Sequence, residues 1–150
     1  MPENETIKRA RADARGGKSP STQAGEFVRE EMHHGREGKH GAASAQQAIA
    51  IGLSKARRAG VNLEPPPSGK ASAKTTRQAH RDYQMGQSHP RPKPSPTRSR
   101  AASEALKKEG DRAASRSSLR RQTRTAAKKR GSAARHSSAV KANRTRQKGS

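Results

Sequence analysis

The chain contains no cysteine, which excludes disulfides, thiolate metal sites and a cysteine nucleophile. It has no tryptophan, and its aromatic residues are Phe27 and Tyr83 alone. Two isolated rings offer no platform on which successive single-stranded bases can stack. Long apolar runs are missing too: the longest is AIAIGL (48–53), far short of the roughly 20 residues that cross a bilayer. The first residues, MPENETIKRARADARGGK, lack the apolar stretch of a secretory signal, so none is expected. Hydrophobic residues make up 27% of the chain against roughly 45–50% in ordinary domains. Such a composition, with a net charge of +22, is that of chains that bury too little apolar surface to offset ordering entropy. The expectation is therefore a mostly disordered, intrinsically flexible protein with a small all-α part.

Acidic residues are scarce where basic ones are dense. Residues 1–64 hold 11 Lys/Arg and 8 Asp/Glu, whereas residues 65–150 hold 23 and 4. A basic arm on a nearly neutral module points to polyanionic partners. The reading divides the chain into a flexible arm (1–18), a helical module (19–64), a Pro/Ser/basic linker (65–100) with a weak helix at about 71–85, and an Ala/Arg/Lys-rich tail (101–150).

Within 19–64 two helices are expected as a hairpin over about 21–60. Ser19 or Ser21 can cap the first, with Pro20 tolerated in its first turn. Ala24, Phe27, Val28 and Met32 follow helical spacing, with Glu31 interrupting the stripe. Gly35, Gly38 and Gly41 are expected to end it. Ser44 and Gln47 form an S-x-x-Q capping box for the second helix. Ala45, Ala48, Ile49, Gly52, Leu53, Ala56 and Ala59 share a face, and Gly60 suits a left-handed end. Ala48, Gly52 and Ala56 let another helix approach closely. The expected core (Phe27, Val28, Met32, Ile49, Leu53, Val61 and Leu63) is small, so the hairpin is expected to need a second copy or a partner.

The tail carries a four-residue ladder: Arg112, Arg116, Arg120, Arg124 and Lys128, broadened by Arg121, Lys129 and Arg130. On a helix such rungs lie about 6 Å apart. Like charges at this spacing weaken an isolated helix slightly, whereas a phosphate backbone converts the repulsion into attraction. Two readings stay open: a solvated tail that never orders, and a segment (111–130) that becomes helical on nucleic acid. Arg57 and Arg58 extend the basic surface. No zinc-finger spacing or recognition helix is present, so sequence-specific readout is not expected.

His33, His34 and His40 lie near Glu30 and Glu37, and Glu30 with His33 has the E-x-x-H spacing of carboxylate metal helices. The second helix supplies no further Asp, Glu or His, so the favoured reading is a polar helix end with no metal. GREGKHG lacks the Ser/Thr that follows lysine in a phosphate loop. No enzyme and no cofactor are expected.

The segment QAIAIGLSKARRAG (47–60), supported by GEFVREEMHH (25–34), resembles a family of small basic bacterial proteins of uncharacterised function, loosely labelled DNA-binding or plasmid-stabilisation proteins. The tail LRRQTRTAAKKR (119–130) is similar to tails in that group. The resemblance implies a bacterial cytoplasmic or nucleoid-associated protein and carries over no catalytic residue. The resulting expectation is a non-enzymatic, sequence-nonspecific DNA-binding protein. Its tail binds DNA, and its hairpin serves self-association or partner docking. The alternatives are RNA or ribosome association, or a protein-interaction adaptor anchored by its tail.

Overall fold

In three of the helices the serine at the start accepts an orphan amide of the first turn through its hydroxyl. A computed structural model describes residues 2–39, 41–88 and 95–148. Ser19 Oγ accepts from the Thr22 amide (3.4 Å), Ser44 Oγ from Gln47 (3.1 Å) and Ser72 Oγ from Thr75 (3.1 Å). In chain order the elements are α1 (Asn4–Arg15), α2 (Pro20–Arg36), α3 (Ala45–Arg58), α4 (Ala73–Gln87), α5 (Pro96–Lys107), a 3-10 turn (Asp111–Ala114) and α6 (Arg116–Lys148). No strand occurs among the described residues. The chain divides into two units, Met1–Ser115 and Arg116–Ser150.

In the first unit α1 packs on α2, α2 on α3 and α3 on α4. Phe27, 1% exposed, sits in a cluster with Ala10, Ala24, Ala56 and Val61, flanked by Ile7, Leu53, Ala59 and Leu63. Bulky side chains are few, and the helices compensate by approaching closely. A Cβ on Gly52 would lie 2.7 Å from Val28 Cα, and one on Gly86 would lie 1.8 Å from the Arg57 carbonyl oxygen. Close approach lets backbone atoms supply the dispersion contacts that larger side chains would otherwise make. Polar ties add to this. Asp82, 1% exposed, accepts from Ser54 Oγ (2.6 Å) and Gln78 Nε2 (3.0 Å), fastening α4 to α3.

A strap closes the loop between α2 and α3. The Gly41 amide donates to Leu106 O (3.0 Å) and the Ala42 amide to Gly110 O (3.2 Å). The 3-10 turn then buries Ala113 and Ala114 and packs on α2 and α3. Arg36 Nε donates to Ala114 O at 3.4 Å.

These findings overturn the expectation of a mostly disordered chain with a small helical part. Where a flexible arm was expected at 1–18, α1 buries Thr6 and Ala10. The helix expected at about 71–85 forms as α4 and packs on α3. Of the extended Pro/Ser/basic stretch, residues 89–94 lie outside the described residues, and Pro96 opens α5, none of whose residues is buried. The described part of the tail is mostly helical, through the end of α5, the 3-10 turn and α6, and α6 is interrupted by non-helical backbone at Gly131. Its Ala, Arg, Lys and Gln content favours helix by propensity. Hydrophobic content alone misjudged the chain, because small side chains and internal polar pairs hold the first unit together. Gly35 does not stop α2, which ends at Arg36, with Gly38 turning at φ 68°.

Candidate nucleic-acid interface

The cationic ladder of the tail lies mostly on α6. Between Arg116 and Arg130 there are seven Lys/Arg and no Asp or Glu. All seven (Arg116, Arg120, Arg121, Arg124, Lys128, Lys129 and Arg130) are exposed. At about 100° per residue, Arg116, Arg120, Arg121, Arg124 and Lys128 fall within an arc of roughly 140°. Ser118, Leu119, Gln122 and Ala126 fall on the other side and are half-buried. Thr123 turns its hydroxyl back to Leu119 O (2.9 Å) and so satisfies its donor within the helix. The result is a helix with a stripe of five cations on one face, to which Lys129 and Arg130 add charge on the other side.

The ladder's first rung is displaced. Arg112 belongs to the 3-10 turn, and Ser115 is extended (φ −66°, ψ 149°) between that turn and α6. Arg112 is exposed and lies in the first unit, outside α6. Arg57 departs further from expectation. It is 8% exposed, donating from Nε to Leu63 O (3.1 Å) and from Nη2 to Glu64 O (3.3 Å). It caps the chain leaving α3 ahead of the prolines and is no part of a basic surface. Burial lowers its pKa from the ordinary value, against the opposing pull of the Asp82 carboxylate, though an arginine keeps its charge. Arg58 is exposed, with its Nε 3.9 Å from Asp82 Oδ1.

The most concentrated chemistry elsewhere lies under α1. Glu30, Glu31 and His34 are buried on α2 with potential ligand atoms within 4.8 Å of one another. Lys55 from α3 supplies the cation for this cluster. Its ammonium lies 3.2 Å from Glu30 Oε1 and bonds Glu31 Oε1 as well. The Glu3 amide donates to Glu30 Oε2 at 3.1 Å, and His34 Nε2 meets Glu3 Oε1 at 2.9 Å. Burial, the largest single influence, raises the Glu30 pKa. Hydrogen bonds from Thr6 and the Glu3 amide, together with Lys55, outweigh it and leave the carboxyl below its ordinary value. The cluster joins α1, α2 and α3 through charge.

The E-x-x-H pair singled out in the sequence is not brought together. His33 faces solvent and pairs with Glu37 at 3.0 Å, and His40 lies outside the described residues. Of the partners that matter, Glu31 interrupts the apolar stripe in the sequence, and Lys55 lies in the last turn of α3. The signal was present: one lysine of α3 lies on the side facing the only two adjacent glutamates of α2. The cavity beside Glu31, lined by Gly35, Gly41, Ala42, Ala48, Ala113 and Ala114, is about 10 Å³, on the order of one water molecule. No helix among the described residues is long and apolar enough to cross a membrane. No protein-family model, curated protein or solved structure matches the chain.

Proposed function

We propose that the protein is a non-enzymatic, sequence-nonspecific DNA-binding protein of the nucleoid-associated kind, with α6 as its contact surface. The observation that carries this reading is the density of exposed cations between Arg116 and Arg130. Fifteen helical residues rise about 22 Å, so seven cations recur every ~3.2 Å along the axis. One strand of duplex DNA presents a phosphate about every 3.4 Å. The charge densities match, and α6 has no carboxylate to neutralise its own cations. Because the helix is already formed, binding does not have to order its backbone.

The aromatic inventory disfavours a single-strand mode. Phe27 is buried, and Tyr83, half-buried with its hydroxyl donating to Asn62 Oδ1 at 2.5 Å, is the one other ring, so no pair of rings is offered on which successive bases can stack. Contacts to phosphate alone position a protein without reading sequence, and arginine and lysine stripes are suited to that role.

The test is a salt titration on duplex DNA. With five to seven phosphates engaged, affinity falls roughly 500- to 6,000-fold between 50 and 200 mM salt. Absence of binding at low ionic strength, or binding indifferent to salt, overturns the reading. Structured RNA in the same titration, bound more tightly than DNA at equal salt, redirects it to an RNA-associated protein.

A further inference from the structure

Inside α6, Gly131 has φ 76° and ψ 171°, a region of backbone space open to glycine and strained for residues carrying a Cβ. A Cβ on Gly131 would have no atom within 4 Å. Space therefore does not demand glycine there, and the backbone conformation does. The break leaves an arm of residues 116–130 with seven Lys/Arg and an arm of residues 132–148 with five. Arg135, Lys141, Arg144 and Arg146 of the second arm are exposed. Lys141 and Arg144 recur at i and i+3, which places them on one side of that arm.

We propose that Gly131 is a joint and that the two arms of α6 seat together on one DNA duplex. The proposal rests on the DNA-binding reading of α6 and adds the way the helix is divided to fit. An unbroken helix of 33 residues is about 50 Å long. Duplex DNA completes a turn in about 34–36 Å, so a straight rod of that length leaves the backbone it follows. The two arms measure about 22 and 25 Å, each shorter than a turn, and a change of direction between them lets the second return to the phosphates. With one residue as linker, the second arm binds as an intramolecular event at an effective concentration on the order of millimolar or above. The first arm carries the continuous stripe, and the second adds reach.

The experiment uses the full chain and a fluorescent duplex of about 30 base pairs, roughly three turns, across a salt series. Engagement of five or six phosphates by the first arm and three by the second gives a log–log slope of about −7 to −8. The double variant Lys141→Gln/Arg144→Gln removes two contacts, so the slope becomes shallower by about 1.8. Gly131→Ala returns position 131 to helix, raises helicity by circular dichroism and brings the slope to about −5, the value for one arm. The double variant leaves the joint and the first unit untouched, so its result stands whatever Gly131→Ala does to folding. Wild-type binding with a slope near −5 that the double variant does not change overturns the two-arm proposal and leaves α6 as the DNA contact. No DNA binding by the wild-type chain overturns both. A two-arm slope on duplex RNA with none on DNA overturns the assignment to DNA.

Discussion

Replacing Lys55 with methionine removes the ammonium between Glu30 and Glu31 while keeping a side chain of similar length. The two glutamate side chains are 2% and 1% exposed and the lysine 21%, so the carboxylates cannot recover their hydration without opening the α2–α3 contact. Removing one partner of a buried pair costs about 3–5 kcal/mol, and the partial exposure of Lys55 puts this case near 3 kcal/mol. That is a large share of the roughly 5–15 kcal/mol by which a domain is stable. Urea unfolding at pH 7, followed by circular dichroism, reads the loss. The pH dependence supplies a second sign. In the wild type the Glu30 carboxyl lies below its ordinary 4.5. It contributes stability that is present above that value and is lost as pH falls through the folded pKa. Without Lys55 the Glu30 carboxyl loses part of what holds it down and moves up, so the variant gains stability relative to the wild type as that carboxyl takes up its proton. The gap between variant and wild type therefore narrows as pH falls from 7 to below the ordinary carboxyl value of 4.5. A loss below about 1 kcal/mol at pH 7, or a gap that stays constant on acidification, refutes the argument that Lys55 holds this cluster.

Gly52→Ala places a Cβ 2.7 Å from Val28 Cα. Overpacking against backbone is expected to cost about 1–3 kcal/mol, measured as a lowered urea midpoint, and an unchanged midpoint contradicts the close approach of α2 and α3. Arg57→Ala and Arg120→Gln/Arg124→Gln are expected to separate stability from binding. The first loses two internal hydrogen bonds and lowers the melting temperature without altering the salt slope on DNA. The second leaves the melt intact and flattens the slope by about 1.8. Equal effects of the two variants on the slope contradict the assignment of Arg57 to the interior.

Local signals were the legible part of this fold. Serine and proline at the helix starts act through neighbouring amides, so Ser19, Pro20 and Ser44 could be placed from the sequence alone. Even there the return bond of Gln47 goes to the Ala43 amide (3.0 Å), one residue before the position a capping box predicts. Gly60, with φ 93°, likewise announces the end of α3. What could not be seen depends on residues distant in the chain. Thr6 looks like a surface residue until Glu30, 24 positions on, is packed beside it. Asp82 and Gly86 give α4 no hydrophobic signature, yet one accepts from Ser54 and the other lies against the Arg57 carbonyl. A count of bulky apolar side chains underestimates helices that fit by being thin. For the candidate interface, the ladder from Arg116 to Lys128 was legible because it needs only helical periodicity. The exclusion of Arg112 was not, because it turns on the backbone of Ser115, and neither was that of Arg57, because it turns on the carbonyls of Leu63 and Glu64.

Eight of the carboxylates of the first unit have a further consequence. Glu3, Glu5, Asp13, Glu26, Glu30, Glu31, Glu37 and Asp82 each stand beside a cationic or titratable partner of that unit. Their negative charge is matched at short range, so what extends beyond the surface is the uncompensated surplus of lysine and arginine. Neutralising these acids one at a time therefore perturbs folding before it perturbs attraction to a polyanion, and tolerance to substitution at those positions reports on architecture even in a screen that selects for binding.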